Sequence, residues 1–194
     1  MAGMKPGEIK GLTAACRRMY EGGLVTGALG AVGVRTSAGD VMVSRAGSRL
    51  GFLEDSDILL MNGTRPQSGG KGKGPTRDAG IFKAVLAVRR EAGSVIRINS
   101  PYATALAHRG RKVLEKSQGL LEDLGGVVFV PFYRPGTAGL AGAVAEVLRE
   151  NRIAIIEGQG SVVWGTDIED AVDQAEALEA AAKVIFLLNG NNGA

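Results

Sequence analysis

Two features of this chain invite a search for chemistry: a glycine-rich basic segment and a single histidine. The segment, residues 69–76, contains glycine and lysine as phosphate-binding loops do. A nucleotide-binding P-loop requires a lysine followed directly by serine or threonine, whereas Lys71 and Lys73 are each followed by glycine. We therefore interpret residues 67–75 as a flexible basic loop, either a plain linker or a loop that attracts anions.

His108 is the only histidine and Cys16 the only cysteine. Catalytic zinc sites usually take three protein ligands, with histidine and cysteine preferred, so these two residues cannot build a histidine-rich site within one subunit. A hydrolytic triad would also need His108, and no nucleophile-elbow motif accompanies it. Its place late in a predicted helix indicates a helix-end or surface histidine. A single cysteine excludes an internal disulfide framework and fits a reducing compartment.

Length and composition predict one ordinary globular domain that spans residues 1–194. Of the 194 residues, 45% are hydrophobic and 22% are charged, which is typical of such domains. No window approaches the ~20 uninterrupted apolar residues of a membrane span, and the first residues lack the apolar stretch of a secretory signal. We therefore expect a cytoplasmic protein that has no membrane partner.

Charge is distributed unevenly, although the net charge is only +3. Residues 65–77 carry four bases and no acid, whereas residues 167–179 carry six acids and no base. Runs of this kind usually form solvated faces. Nucleic-acid binding favours a longer basic stripe with stacking aromatic residues, and neither is present. The charge argues against a nucleic-acid partner and leaves anionic small molecules open.

The hydrophobic pattern predicts a mixture of helices and strands. Helices are expected from Pro6 to Gly22, from Asp78 to Ala92, after the N-cap Ser100, from Thr137 to Glu150, and from a capping box at Thr166 and Glu169 to about Leu188. Strands are expected at residues 31–36, 41–44, 58–61, 94–98, 127–130, 153–156 and 161–164. The turns at 37–40 and 157–160 are too short for parallel crossovers. We therefore predict an α/β fold, a single three-layer domain whose largely antiparallel or mixed central sheet is covered by helices, and not a doubly wound Rossmann topology.

Four segments, in order along the chain, resemble the class II aldolase/adducin family of sugar-phosphate lyases and epimerases. They are GLVTGALGAVGVR (23–35), SVIRINSPYATALA (94–107), PFYRPGT (131–137) and IAIIEGQGSVVWG (153–165). The resemblance covers about residues 8–188, and the family's helix-covered, largely antiparallel sheet agrees with the hairpin pattern. It implies a chemistry in which a divalent cation polarises substrate oxygens and stabilises an enediolate. It also implies a homotetramer with sites between subunits.

The positions that hold zinc in the family carry other residue types here. Arg97 and Asn99 stand at the two histidines of the family's His-x-His segment, and Gln159 stands at the histidine of its Asn-His-Gly segment. Amide oxygens are poor zinc ligands beside imidazole or thiolate, and Arg97 is a permanent cation. The resemblance therefore implies that the family zinc site is lost and that no metal cofactor is bound.

The other site residues also follow from the resemblance. Asp78 takes the place of the family's acidic residue, and the family's phosphate-binding turn becomes residues 26–31 without its asparagine. The ligand-binding residues implied are Gly27, Ser44, Gly47, Arg97, Asn99 and Gln159, with Asp78 as the catalytic acid/base of any surviving reaction. Because side chains alternate along a strand, Arg97 and Asn99 share a face. We therefore predict that Arg97 fills the former metal locus and pairs directly with Asp78 or another acid.

Three functions remain open on the sequence. The first is a family homologue without zinc chemistry that keeps a pocket for a small anionic or phosphorylated metabolite. The second is an active lyase or epimerase acting on a sugar phosphate without a metal or with an atypical one, in which Arg97 is the fixed electrophile and Asp78 the acid/base. The third is a non-catalytic scaffold, as adducin shows for this fold. The family resemblance alone does not choose among them.

Overall fold

Six helices and seven strands make up the computed structural model, which describes residues 6–61 and 74–190. Helices α1 to α6 span Pro6–Glu21, Ala79–Val88, Pro101–Arg109, Arg111–Lys116, Ala138–Val147 and Ile168–Gly190. Strands β1 to β7 span Ala31–Arg35, Val41–Ser44, Ile58–Met61, Ser94–Ile98, Val127–Val130, Ile153–Ile156 and Gly160–Gly165. Residues 62–73, which include most of the predicted basic loop at 67–75, lie outside the described residues.

The seven strands form a single sheet in the order β3-β2-β1-β4-β7-β6-β5. Every neighbouring pair is antiparallel except β5 and β6, which are parallel. The chain passes from β5 to β6 through helix α5, as a parallel pair requires, whereas β1–β2 and β6–β7 are tight hairpins. The prediction of a mixed, largely antiparallel sheet is confirmed.

Helices cover both faces of this sheet, which gives the predicted three layers. In β4, at the centre, Ile96 and Ile98 pack with α1, α3 and α6, whereas Val95 packs with α2 and α5. Since side chains alternate along a strand, Arg97 shares the face of Val95. The sheet therefore directs this arginine to the side on which α2 begins.

Two predicted helices are shorter in the structure, and one helix was missed. Helix α2 ends at Val88 because Arg89 turns to an extended conformation (φ −111°, ψ 97°) and its Nε donates to the carbonyl of Leu148 at 2.6 Å. Helix α5 ends at Val147, three residues before the predicted end. Helix α4, residues 111–116, was not predicted.

One predicted N-cap residue is confirmed and one is wrong. Ser100 is the N-cap residue of α3, as predicted, but its side chain makes no capping hydrogen bond; instead, Glu179 of α6 accepts from the backbone N–H groups of Tyr102 and Ala103 at 2.9 and 2.8 Å. At the start of α6 the capping acceptor is Asp167, whose Oδ1 accepts from the N–H of Asp170 at 2.8 Å. The capping residue is therefore Asp167 and not Thr166.

The acidic run on α6 is partly used in ion pairing with α1. The guanidinium of Arg18 lies 3.2 Å from Glu169, 2.6 Å from Asp173 and 2.6 Å from Glu176. These contacts are largely exposed, so their contribution to stability is small, and the run is only in part the solvated face that was predicted. No helix within residues 6–61 and 74–190 is long and apolar enough to cross a membrane, and the cellular location stays a prediction.

Candidate functional site

A cavity of about 330 Å³ opens beside the end of β4, where helix α2 begins. Its walls are formed by residues 28–30, 45–47 and 76–78, together with Arg97 and Asn99. Three chain segments distant in sequence thus meet at one edge of the sheet. The cavity lies at the locus that the family resemblance implies.

Backbone pairing holds two of these segments side by side. The N–H of Thr76 donates to the carbonyl of Ser44 at 3.0 Å, and the N–H of Ala46 donates to the carbonyl of Gly74 at 2.9 Å. Residues 74–76 therefore extend the sheet beyond β2. This pairing brings Arg45 and Arg77 to the same cavity.

Four of the seven predicted site residues line the cavity: Gly47, Asp78, Arg97 and Asn99. Gly27, Ser44 and Gln159 do not. The hydroxyl of Ser44 accepts from the N–H of Val32 at 3.2 Å, and the amide of Gln159 donates from Nε2 to the carbonyl of Tyr133 at 2.6 Å. Ser44 and Gln159 thus use their side chains to hold neighbouring backbone, and ligand binding by all seven stays a prediction.

Arg97 is the deepest charged group of the cavity, with 4% of its surface exposed. Its Nη1 donates to the carbonyl of Ile98 at 2.9 Å, and its Nε is buried with no hydrogen-bond partner in the described part of the chain. Burial lowers the pKa of this guanidinium; the nearby charge of Asp78 opposes that shift, and Arg77 adds to it. Arg97 is thus a buried cation whose hydrogen-bonding capacity is only partly used.

The predicted direct contact between Arg97 and an acid is wrong. No carboxylate oxygen of the described residues lies within 4.0 Å of an Arg97 nitrogen. Nη1 of Arg97 is instead turned to the end of its own strand, and Asp78 is held by the first turn of α2. The two groups face one cavity and interact through space.

Asp78 stands at the N-cap position of α2 but does not cap the helix with its side chain. Its backbone is fixed, since its N–H donates to Oγ1 of Thr76 at 3.3 Å and its carbonyl accepts from Ile81 and Phe82. The positive end of the helix dipole favours a negative charge at this place. A carboxylate that lines the cavity is thus left free of a capping role.

The charge of the cavity is positive. Arg45, Arg77 and Arg97 line it, and Asp78 is the only carboxylate in its lining. Arg45 has a partner outside the cavity, since its Nε lies 3.6 Å from Oδ1 of Asp57. Sequence reasoning did not single out Arg45 or Arg77, although each adjoins a predicted site residue. Three arginines on one small cavity are suited to an anionic ligand.

The turn between β6 and β7 packs against two residues that line the cavity, Arg97 and Asn99. The amide nitrogen Nδ2 of Asn99 donates to the carbonyl of Gln159 at 2.7 Å. A Cβ on Gly160 would lie 2.4 Å from the carbonyl oxygen of Ile98 and 3.1 Å from Nη1 of Arg97. Only glycine therefore allows this turn to pack against the guanidinium.

The residues at this locus do not fit a zinc ion. Nδ2 of Asn99 and Nε2 of Gln159 serve as hydrogen-bond donors, and Arg97 supplies a cation where a ligand is needed. Among the described residues no group of three or more histidine, cysteine, aspartate or glutamate side chains could hold a metal. A single carboxylate, Asp78, cannot replace three imidazole ligands.

We therefore expect the purified protein to contain far less than one zinc ion per chain after dialysis against trace zinc and then against metal-free buffer. The physical reason is the donor set: a cation next to a buried guanidinium is repelled and gains only one anionic ligand. Elemental analysis measures the zinc content. One tightly held zinc per chain that disappears in Asp78→Asn would contradict this reading of the site.

Comparison with known proteins agrees with the fold. The Class II Aldolase and Adducin N-terminal domain family matches residues 10–186. A 3-oxo-tetronate 4-phosphate decarboxylase of Haemophilus influenzae is 29% identical over 181 residues, which are 90% of this chain and 84% of that protein. An L-fuculose phosphate aldolase of Methanococcus maripaludis is 26% identical over 176 residues, 90% and 93% of the two chains.

A solved structure shows the same fold. The sugar-phosphate aldolase from Thermotoga maritima matches with a TM-score of 0.80 at 19% identity, over 95% of each chain. The family match covers most of this chain, including the four segments that the resemblance rested on. The chain therefore belongs to the class II aldolase and adducin family.

Proposed function

We propose that this protein binds a small phosphorylated or otherwise anionic metabolite in the cavity beside α2, without a zinc ion. The observation that carries the proposal is the lining of one cavity of about 330 Å³ by three arginines and a single carboxylate. Cavities of this size suit small metabolites. Arginine binds phosphate and carboxylate through paired N–H donors.

Sugar phosphates are the ligand class that the relatives suggest. Their names place 3-oxo-tetronate 4-phosphate and L-fuculose phosphate as the compounds those proteins act on. We extend to this chain the shared element of those compounds, a short polyol or keto chain with a terminal phosphate. Arg45 and Arg77 are the residues to which we assign the phosphate.

Calorimetric titration in the presence of a metal chelator tests this proposal. We expect erythritol 4-phosphate to bind about tenfold or more tightly than erythritol, because phosphate pairs with arginine at low salt. Arg77→Met should weaken binding of the phosphate and leave erythritol unchanged. Arg149→Met is a matched control, since Arg149 pairs with Glu146 on the surface and does not line the cavity.

The outcome of that titration also separates a binding protein from a scaffold. Binding of the phosphate that Arg77→Met weakens supports the pocket. Equal binding of erythritol and its phosphate, or no binding of either, contradicts the proposal and favours the scaffold role.

A metal-independent lyase is a second candidate, and one arrangement favours it. Arg97 offers a fixed cation and Asp78 a carboxylate free of a capping role, both on the same cavity. In an aldol cleavage the carboxylate would take the proton of the β-hydroxyl group, the carbon–carbon bond would break, and the electron pair would pass to an enolate oxygen near the guanidinium. Chelator-treated protein that turns over a sugar phosphate would support this lyase activity, provided that Asp78→Asn abolishes turnover while binding persists. Binding without turnover would instead indicate a pseudoenzyme.

We also propose that the chain forms a homotetramer. The inner face of α6 packs inside its own domain. The large apolar side chains that remain exposed near the end of α6 are Val184, Phe186, Leu187 and Leu188. Light scattering should give about four times the 20.0 kDa chain mass, and Leu187→Glu should lower it. A particle of one chain mass at micromolar concentration would contradict the proposal.

A further inference from the structure

The guanidinium of Arg97 has one edge in use and one edge open. Nη1 donates to the carbonyl of Ile98 and is packed against Gly160. Nε has no hydrogen-bond partner in the described part of the chain, although it is buried. Nε and Nη2 form the edge of a guanidinium whose two N–H bonds run parallel. A buried cation with an unused donor pair is costly unless an anion completes it.

The three arginines differ in depth. Arg97 is 4% exposed, the side chain of Arg45 is 27% exposed, and Arg77 is an exposed residue. All three line the same cavity. A single cation therefore lies at the buried end, and a pair of cations lies nearer to solvent.

This difference in depth assigns different anions to the two ends. A carboxylate has two oxygens in one plane and matches one guanidinium edge. A phosphate ester has three free oxygens and nearly two negative charges at neutral pH, so it needs more donors and loses more hydration on burial. The buried end with one donor pair suits a carboxylate, and the two outer arginines suit a phosphate.

Building on the proposed function, we infer that the ligand carries two anionic groups: a carboxylate that pairs with the Nε–Nη2 edge of Arg97, and a phosphate bound by Arg45 and Arg77. The ligand class is a short phosphorylated sugar acid. Arg97 is then a specificity-determining residue that stands where the family has a metal ligand and selects an acid over an alcohol.

Three probes test the inference by calorimetry in the presence of a chelator: 4-phosphoerythronate, erythritol 4-phosphate and erythronate. The first has both anionic groups, and the other two have one each on the same four-carbon chain. We expect wild-type protein to bind 4-phosphoerythronate about tenfold or more tightly than erythritol 4-phosphate, since a bidentate charged pair forms only with the acid.

Variants of Arg97 test whether this residue causes the preference for 4-phosphoerythronate over erythritol 4-phosphate. Arg97→Met should remove the preference, because it weakens the binding of 4-phosphoerythronate far more than that of erythritol 4-phosphate, and Arg97→Lys should reduce the preference because lysine lacks the planar fork. Arg77→Met is the matched control: it should weaken both phosphates by a similar factor and keep their ratio.

A measurement on wild-type protein covers the case in which Arg97→Met does not fold. The NMR signal of the Arg97 Nε–H group should shift with 4-phosphoerythronate and with erythronate, and much less with erythritol 4-phosphate. Equal wild-type affinity for the two phosphates, or an unchanged preference in Arg97→Met, would overturn this inference while the proposed function stands. If no phosphate binds at all, the proposed function itself fails.

Discussion

Replacing Gly160 with alanine should lower the free energy of unfolding by about 2–5 kcal/mol. The backbone of Gly160 has φ +88°, where a side chain is strained. The added Cβ would also lie 2.4 Å from the carbonyl oxygen of Ile98 and 3.1 Å from Nη1 of Arg97. Ile98 cannot move away easily, because β4 is hydrogen-bonded to strands on both sides. Denaturant unfolding measures the loss.

Two other glycines separate strain from crowding in this experiment. Gly158 also has positive φ (+65°), but the nearest atom to its added Cβ is Cε1 of His108 at 3.7 Å, so Gly158→Ala should cost only about 1–2 kcal/mol of strain. Gly142 lies in α5 with nothing within 4 Å, and Gly142→Ala should stabilise by roughly 0.5–1 kcal/mol. Equal losses for Gly160→Ala and Gly158→Ala would mean that the turn does not press on the guanidinium.

Replacing Phe82 with alanine should destabilise the protein by about 3–5 kcal/mol. Phe82 lies in α2, is 0% exposed and is among the largest fully buried side chains. Its ring rests on Gly33 of β1, where an added Cβ would come within 2.7 Å of it. The substitution therefore leaves a cavity between α2 and the sheet, next to the helix start that carries Asp78.

Phe52 is the matched control for Phe82, because it is 62% exposed. It keeps one edge-to-face contact, with its ring centre 5.3 Å from that of Tyr20, so Phe52→Ala should cost only about 1 kcal/mol. Chemical unfolding of both variants at one pH makes the comparison. Similar losses for the two would show that α2 does not depend on Phe82 for its place on the sheet.

Local sequence predicted the positions of the strands and the two hairpins correctly. These features depend on side chains that alternate along a strand and on turns too short for a crossover, so neighbouring residues decide them. The helix ends were less predictable. Ser100 is the N-cap residue of α3, but the side chain that accepts from the first N–H groups of the helix is that of Glu179, which reaches them only because α3 and α6 pack together.

The cavity residues likewise divide into those that the sequence predicted and those that only the tertiary structure brings together. The family resemblance led to Asp78, Arg97 and Asn99, and all three line it. Arg45 and Arg77 were missed, since each is an ordinary loop arginine until residues 74–76 pair with residues 44–46. The expected ion pair of Arg97 was wrong because a strand carbonyl, that of Ile98, took one edge of the guanidinium.

The sequence by itself determined the fold class, the family and the loss of the zinc-binding residue types, because these depend on residue identity and order along the chain. Only the tertiary structure decided that three arginines share one cavity and that the donor pair of Arg97 remains open. Distances between groups far apart in sequence set those properties. The physical reason is that charge interactions and hydrogen bonds depend on the separation and orientation of the groups in space. Here the packing of α2 and of the β6–β7 turn against β4 sets that separation and orientation.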